Sequence, residues 1–274
     1  MPADERPLLA AADEGDGPGV VLLPGSAADR QIFLQSGIFG SLTNYARAVA
    51  LDWRGAGESA PSKGDYGFAE EVEDVVALLD AKGLETACVV GVSHGAAVVL
   101  ELALRHPDRV QGLVLCSPWP RTTQSMRQMF QIWQTVFSNN DPQAYGEAMA
   151  WWLFSHEFLD ADPGRATGLA TALFAAPDSA EREAHLATVG ANLGFDVEDR
   201  LGEIRVPTLV LAGEQDRVVP AAYSKAVAEA IPGSRFELIT GPSGSHAFLA
   251  EAAPQPTELI VEFIAEVVGA AAEC

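Results

Sequence analysis

The sequence predicts an α/β fold in which a mostly parallel β-sheet is flanked by helices. Three observations lead to this prediction. Short apolar runs alternate with longer amphipathic segments through the first 117 residues. The alternation then stops between about 118 and 200, and it resumes after residue 201. Alternation of this kind is typical of parallel sheets whose strands are connected by helices packed on both faces.

The first half of the chain contains four strand candidates and two helix candidates. Each strand candidate is a short apolar run, and each helix candidate has apolar residues at helical spacing. Gly83 and Pro107 follow the helix candidates and are typical helix ends. The strands are predicted at 20–23, 48–51, 87–90 and 112–115, and the helices at 68–82 and 96–106.

The second half begins with helical patterns that are rich in aromatic residues and contain no strand candidate. Strands are then predicted at 208–211 and 235–239, and helices near 222–231 and 254–269. The simplest account is one sheet domain in two sequence pieces, with a helical insertion between them. We therefore assign 1–117 and 201–274 to the core and 118–200 to the insertion.

The amino-acid composition disfavours several classes of function. The 274 residues include 17 basic and 38 acidic ones, a net charge of −21, which disfavours binding to nucleic acid or anionic membranes. Three cysteines without paired spacing predict neither a disulfide framework nor a metal cluster. The N-terminus lacks the pattern of a signal peptide, and no apolar run is long enough to span a bilayer. We expect a cytoplasmic protein, of bacterial type by its arginine and alanine usage, that acts on a small molecule.

A candidate nucleophile lies between a predicted strand and a predicted helix. Gly91-Val92-Ser93-His94-Gly95 matches G-x-S-x-G, a weak pattern alone that gains weight from this context. A serine at such a sharp turn projects its hydroxyl above the sheet, and the helix N-terminus offers N–H groups to developing negative charge. The alternative is an ordinary turn with an incidental serine.

An acid and a base follow in the chain order that such serines require. Asp216 lies in the loop after the strand at 208–211, and Glu214 in the same loop is a rival acid. His246 lies between the last strand and the last helix. Ser93 would attack a carbonyl, His246 would take its proton, and Asp216 would hold the imidazole tautomer. The backbone N–H groups of His94 and of Ser26 would hold the oxyanion.

Five segments together resemble the α/β-hydrolase superfamily in their order along the chain. They are LLPGS (22–26), DWRGAGES (52–59), GVSHG (91–95), LAGEQDRVVP (211–220) and GSHAF (244–248). The resemblance implies a serine hydrolase with Ser93, Asp216 and His246 as its triad, and a helical lid inserted after the sixth strand. It also implies that Asp52, Arg54 and Ser59 shape a turn. Pro24 departs from the usual His-Gly, and the short region before Val20 implies that the first strands are reduced or missing.

The insertion implies a substrate class. The run WWLFSHEFLDADP (151–163) resembles the lids of enol-lactonases and small-ester hydrolases. Aromatic side chains favour an apolar or aromatic pocket, although many of them would simply pack the insertion onto the core. The predicted pocket residues are Trp119, Trp133, Trp151 and Trp152. We expect hydrolysis of a carboxylic ester or lactone.

Other reactions on the same fold stay open. The segments LLPG, DWRG, 65–86 and SHGA also resemble cofactor-free quinolone 2,4-dioxygenases, which place their acid after the strand that follows the nucleophile helix. That place, 115–118, holds no carboxylate here. A C–C bond hydrolase would use the same triad, whereas a non-catalytic binding protein usually loses a triad residue. No metal, phosphate-loop or dinucleotide motif is present, so no cofactor is predicted.

Overall fold

One twisted sheet forms the centre of the molecule in the computed structural model, which describes residues 8–61, 66–138, 141–174, 179–252 and 254–272. Within these ranges seven strands have the spatial order β1-β3-β2-β4-β5-β6-β7. They are β1 (Ala11–Glu14), β2 (Gly19–Leu23), β3 (Arg47–Leu51), β4 (Ala87–Val92), β5 (Val110–Cys116), β6 (Thr208–Gly213) and β7 (Arg235–Ile239). All neighbours are parallel except β1 and β3. The predicted, mostly parallel sheet is confirmed, and its six predicted strands are present.

Strand β1 is the one that the apolar pattern does not predict. Its sequence, AADE, has no apolar run, and its side chains are half-buried or exposed because it lies at the sheet edge. It is positioned by antiparallel pairing with β3, from Ala11 opposite Leu51 to Glu14 opposite Ala48. The short region before Val20 implied that the first strands are reduced or missing; β1 is the one strand described before β2, and residues 1–7 lie outside the described part of the chain.

Helices cover both faces of the sheet, because alternate strand residues point to opposite sides. One apolar layer joins the sheet to α3, α4 and α10, and the other joins it to α1, α2 and α12. The bounds are α1 (Gln31–Gln35), α2 (Ile38–Leu42), α3 (Phe68–Ala81), α4 (His94–Arg105), α5 (Gln124–Ser138), α6 (Pro142–Leu153), α7 (His156–Ala161), α8 (Pro163–Phe174), α9 (Ser179–Ala191), α10 (Ala221–Ala230), α11 (Phe248–Glu251) and α12 (Gln255–Ala272). None of the helices in the described ranges could cross a bilayer.

The helical insertion, α5 to α9, lies between β5 and β6. Among the described residues it thus follows the fifth strand of the sheet and not the sixth, because no strand is described before β1. Its helices pack in two pairs, α5 with α9 and α6 with α8. A short bridge between Arg121 and Asp196 joins the beginning of the segment to its end.

The DWRGAGES segment forms a buried turn at the end of β3. The Asp52 carboxylate accepts hydrogen bonds from the backbone N–H groups of Arg30 and Glu58, both at 2.9 Å, and forms an ion pair with the Arg30 guanidinium. The Ser59 hydroxyl donates to the Asp52 carbonyl at 2.8 Å, and Arg54 pairs with Asp74 of α3. These contacts agree with a structural role for the segment.

Candidate active site

Ser93 occupies the sharp turn between β4 and α4. Its φ of 53° and ψ of −116° lie in a region that residues other than glycine rarely adopt. Such a conformation costs on the order of 1–3 kcal/mol and persists only where the surroundings hold it. The Ser93 N–H donates to the Cys116 carbonyl at 2.8 Å, and the Ser93 carbonyl accepts from Ala96 at 2.8 Å. The serine is therefore fixed from β5 on one side and from α4 on the other.

The two glycines of the motif make room for this turn. A Cβ atom on Gly91 would overlap the backbone of Gly95 and Ala96, and one on Gly95 would overlap the carbonyl oxygens of Leu23 and Pro24. Because these neighbours are backbone atoms, they cannot rotate away. The G-x-S-x-G spacing thus follows from the close approach of β2, β4 and α4.

We expect Gly95→Ala to lower the free energy of unfolding by at least about 2 kcal/mol, because the added methyl group would displace backbone atoms of β2. Denaturant unfolding would measure the change. Gly168→Ala is the control, since a Cβ there meets no atom within 4 Å, and Ala in a helix should stabilise by up to about 1 kcal/mol. A Gly95→Ala protein as stable as the parent would contradict this account of the motif.

Asp216 and His246 are in direct contact. The Nδ1 of His246 lies 2.8 Å from Oδ2 of Asp216, and both residues are buried. The other carboxylate oxygen, Oδ1, accepts from the backbone N–H groups of Val218 and Val219, both at 2.8 Å. Glu214, the rival acid, accepts from the Gly241 N–H at 3.0 Å instead. The structure therefore pairs the histidine with Asp216.

Ser117 supports the acid and was not singled out from the sequence. Its hydroxyl donates to Oδ2 of Asp216 at 2.8 Å, and its φ is 53°. It follows β5, at the place where the dioxygenase alternative requires a carboxylate. The signal that could have identified it is a serine directly after β5, because β5 pairs with β4, the strand that leads to the nucleophile.

Ser93 and His246 line one cavity of about 80 Å³. Gly25, Ser26, Trp133 and Leu153 also line it. No direct hydrogen bond between the Ser93 hydroxyl and His246 occurs among the contacts of the described residues. The structure thus brings the three predicted residues to one place, with the acid and base bonded and the serine facing the same space as the base.

Three of the four predicted pocket tryptophans are not among the described residues that line this cavity. Trp119 is fully buried, packs against Phe130 and Phe195, and donates its indole N–H to Thr122 at 3.0 Å. Trp151 is half exposed, and Trp152 packs edge-on against both Trp151 and Trp133. Among the described residues that line this cavity, Trp133 is the one tryptophan. For Trp119, Trp151 and Trp152 a role in the pocket stays a prediction, because core packing and a pocket wall both require apolar side chains.

The two predicted oxyanion donors lie on either side of the nucleophile. Ser26 belongs to the turn after β2. This turn is close to the nucleophile, since a Cβ added to Gly25 would lie 3.6 Å from the Cβ of Ser93. His94 is the first residue of α4. The backbone N–H groups of Ser26 and His94 have no acceptor among the described residues, so both remain able to donate to a bound oxygen.

The acid and base loops are bonded to residues 151–155 of the insertion. Arg217, next to Asp216, donates to the carbonyls of Trp151 and Phe154. Ala247, next to His246, donates its N–H to the Leu153 carbonyl at 3.0 Å. In α11, Glu251 accepts from the N–H of Ser155 at 2.8 Å, from its hydroxyl at 2.7 Å and from the Ser245 hydroxyl at 2.8 Å.

Comparison with known proteins shows the family of this chain. The family described as "alpha/beta hydrolase fold" matches residues 18–252, which span most of the chain. The chain belongs to the α/β-hydrolase family. A relative from a Caulobacter species, named carbamate hydrolase RutD, is 32% identical to this hydrolase over 255 residues, 88% of this chain and 92% of the relative.

Two solved structures show the same fold as this hydrolase. A thermophilic esterase from Thermogutta terrifontis superimposes with a TM-score of 0.81 at 25% identity, over 94% of this chain and 93% of the esterase. The enol-lactonase from Burkholderia xenovorans has a TM-score of 0.82 at 23% identity, over 93% and 95% of the two chains. The second likeness shows the fold alone.

Proposed function

We propose that this hydrolase cleaves a small carboxylic ester or lactone through Ser93, His246 and Asp216, with the helical insertion acting as a lid. The observation that carries the proposal is the Asp216–His246 hydrogen bond of 2.8 Å at the wall of the cavity that Ser93 also lines. An oriented histidine beside a strained, cavity-facing serine is the arrangement that activates a serine hydroxyl.

The route of the proton follows from the hydrogen bond that His246 already makes. Because Nδ1 of His246 donates to Asp216, Nε2 is the nitrogen that accepts the Ser93 proton as the serine oxygen attacks the substrate carbonyl. The N–H groups of Ser26 and His94 stabilise the oxyanion. His246 then protonates the leaving alkoxide, and an acyl-enzyme on Ser93 remains. Water, deprotonated by His246, cleaves the acyl-enzyme and releases the acid.

Cavity size and lining favour a compact substrate. The volume is about 80 Å³, and the side chains of Ile32, Val92, Trp133 and Leu153 make its wall mostly apolar. A short acyl chain fits such a space better than a long one, because a group larger than the cavity cannot be buried in it. We therefore propose a small, apolar acyl or lactone ring as the group that enters.

A carbamate is the second candidate substrate. The observation that favours it is the identity of 32% with the relative named carbamate hydrolase. A carbamate ester presents the same carbonyl to Ser93 and differs in the atom beside it. Comparing kcat/KM for p-nitrophenyl acetate and p-nitrophenyl N-methylcarbamate distinguishes the two: faster turnover of the carbamate would favour the second candidate.

The first experiment is fluorophosphonate labelling with peptide mapping, together with p-nitrophenyl acetate, butyrate and octanoate. One adduct on Ser93, with turnover that falls as the acyl chain lengthens, would support the proposed function. No adduct and no turnover would overturn it. Oxygen consumption with a hydroxyquinolone would then test the dioxygenase alternative. In this chain Ser117 occupies the position at which those dioxygenases have their acid.

We expect Trp133→Phe to raise KM about tenfold and to change kcat less than threefold. The indole N–H of Trp133 is buried without an acceptor among the described residues, which costs on the order of 1–3 kcal/mol unless a substrate oxygen accepts from it. Phenylalanine keeps the apolar wall and removes the donor. Steady-state kinetics with p-nitrophenyl acetate would measure both constants.

Trp119→Phe is the matched control, because its indole N–H already donates to Thr122 away from the cavity. It should lower the free energy of unfolding and leave KM unchanged. An unchanged KM in Trp133→Phe would show that this N–H does not bind the substrate.

A further inference from the structure

Four buried polar side chains form a continuous chain of hydrogen bonds beside the oxyanion turn. Glu71 of α3 lies 2.8 Å from Nε2 of His94, and Nδ1 of His94 lies 2.8 Å from Oδ1 of Asn192. Nδ2 of Asn192 donates to the Ser26 hydroxyl oxygen at 2.8 Å. Each of the four residues is at least nine-tenths buried. The chain therefore links α3, the nucleophile turn, the insertion and the oxyanion turn away from solvent.

The direction of each hydrogen bond can be worked out from the donors available. A Glu71 carboxylate only accepts, so Nε2 of His94 carries a proton. With Nδ2 of Asn192 donating to Ser26, Oδ1 faces His94 and accepts from Nδ1. Both ring nitrogens then donate, which makes the ring an imidazolium paired with Glu71.

The surroundings of His94 are consistent with that charge. Burial by itself lowers the pKa of the ring, but the charge of Glu71 and the hydrogen bonds to Glu71 and Asn192 outweigh it, so the pKa lies above its usual value. The rings of Trp53 and Phe68 pack against the imidazole, with centroid distances of 5.8 and 5.1 Å. Behind Glu71, α3 also carries Asp74, which is bonded to Arg54 and to the Tyr66 hydroxyl.

The Ser26 end of this chain of hydrogen bonds faces the cavity. Ser26 lines the same cavity as Ser93, and its hydroxyl oxygen already accepts from Asn192. No acceptor for the Ser26 hydroxyl proton occurs among the described residues. That proton is consequently free to point toward a substrate oxygen, next to the backbone N–H of the same residue.

We propose that the Ser26 hydroxyl is a third oxyanion donor, and that Asn192, held by the His94–Glu71 pair, is the positioning residue that aims it. This inference rests on the proposed acyl-transfer function. Asn192 comes from the insertion, so the segment that covers the site also sets the direction of a donor within it.

Ser26→Ala tests the donor, because it removes the hydroxyl and keeps the backbone N–H. Loss of one oxyanion donor costs roughly a hundredfold in kcat in other serine hydrolases, and we expect a fall of about ten- to a hundredfold here with KM within twofold. Ser224→Ala is the matched control, since its buried hydroxyl donates to the Pro118 carbonyl outside the cavity. It should lower stability and leave kcat unchanged.

Asn192→Asp tests whether Asn192 orients the Ser26 hydroxyl. An aspartate accepts from both His94 and Ser26, so it turns the Ser26 proton away from the cavity without removing the hydroxyl. We expect the same fall in kcat as in Ser26→Ala, and no further fall in the double variant, because both changes remove one donor. Full kcat in Ser26→Ala, or additive losses in the double variant, would overturn the proposal.

An NMR measurement tests the chain of hydrogen bonds independently of turnover. In ¹⁵N-histidine-labelled protein, with His94 assigned by comparison with His94→Gln, we expect a proton on Nδ1 of His94 at pH 8. A bare Nδ1 would require the opposite amide orientation of Asn192, with Ser26 donating to it, and would overturn the inference. Failure of Ser93 labelling with an Nδ1 proton present would instead refute the proposed function and leave the hydrogen-bond chain intact.

Discussion

Ser93→Ala is expected to lower kcat for p-nitrophenyl acetate by about 10⁴- to 10⁶-fold and to abolish fluorophosphonate labelling. The alanine cannot form the acyl-enzyme, while the oxyanion donors and the cavity remain and account for the residual rate. Thermal unfolding should show an intact fold, because the backbone of residue 93 is held by hydrogen bonds to β5 and α4 and not by its hydroxyl.

Ser138→Ala provides the control for this experiment. Its exposed hydroxyl donates to the Gln134 carbonyl within α5, so its removal should leave both labelling and turnover unchanged. Continued labelling of Ser93→Ala, or activity within tenfold of the parent, would identify a different nucleophile and remove the basis of the proposed function.

Asp216→Asn is expected to lower kcat by about 10³- to 10⁴-fold. The Asp216 carboxylate receives four donors: His246, the Ser117 hydroxyl and two backbone N–H groups. An asparagine must direct its NH₂ group at some of these donors. If it faces His246, the imidazole takes the wrong tautomer; if it faces the backbone, buried N–H groups lose their acceptor. We therefore also expect lower stability, measurable by denaturant unfolding.

Glu214→Gln is the matched control in the same loop. Glu214 accepts one hydrogen bond from the Gly241 N–H, and an amide oxygen can accept it equally well. We expect kcat within twofold of the parent. The reverse pattern, with activity lost in Glu214→Gln and kept in Asp216→Asn, would show that the acid has been assigned to the wrong residue.

The sequence predicts those elements whose signal is local. Strands β2 to β6 are largely buried and contain continuous apolar runs, so they could be predicted. Strand β7 at one edge is largely exposed or half-buried but still has apolar residues in its sequence, RFELI, whereas β1 at the other edge has no apolar run and depends on pairing with β3. The positions of Ser93, Asp216 and His246 follow from turn chemistry at strand ends, and the structure brings the three residues together.

Contacts between distant parts of the chain could not be predicted in this way. Asn192 lies 98 residues from His94 and 166 from Ser26, and nothing in its neighbourhood marks it as part of a site. The tryptophans illustrate a second difficulty. Trp119 and Trp133 both lie in aromatic-rich segments and are both buried, and only the three-dimensional structure shows which one adjoins the cavity.

The bonds that Arg217, Ala247 and Glu251 make to residues 151–155 have a consequence for protein engineering. Exchanging lids between relatives is an obvious route to altered specificity, and the obvious junctions would lie near 118 and 200. A chimaera made at those junctions would also discard the backbone on which the acid and base loops rest. We expect grafts that retain 151–155 of this chain to keep their turnover, and grafts that replace it to require compensating changes in both loops.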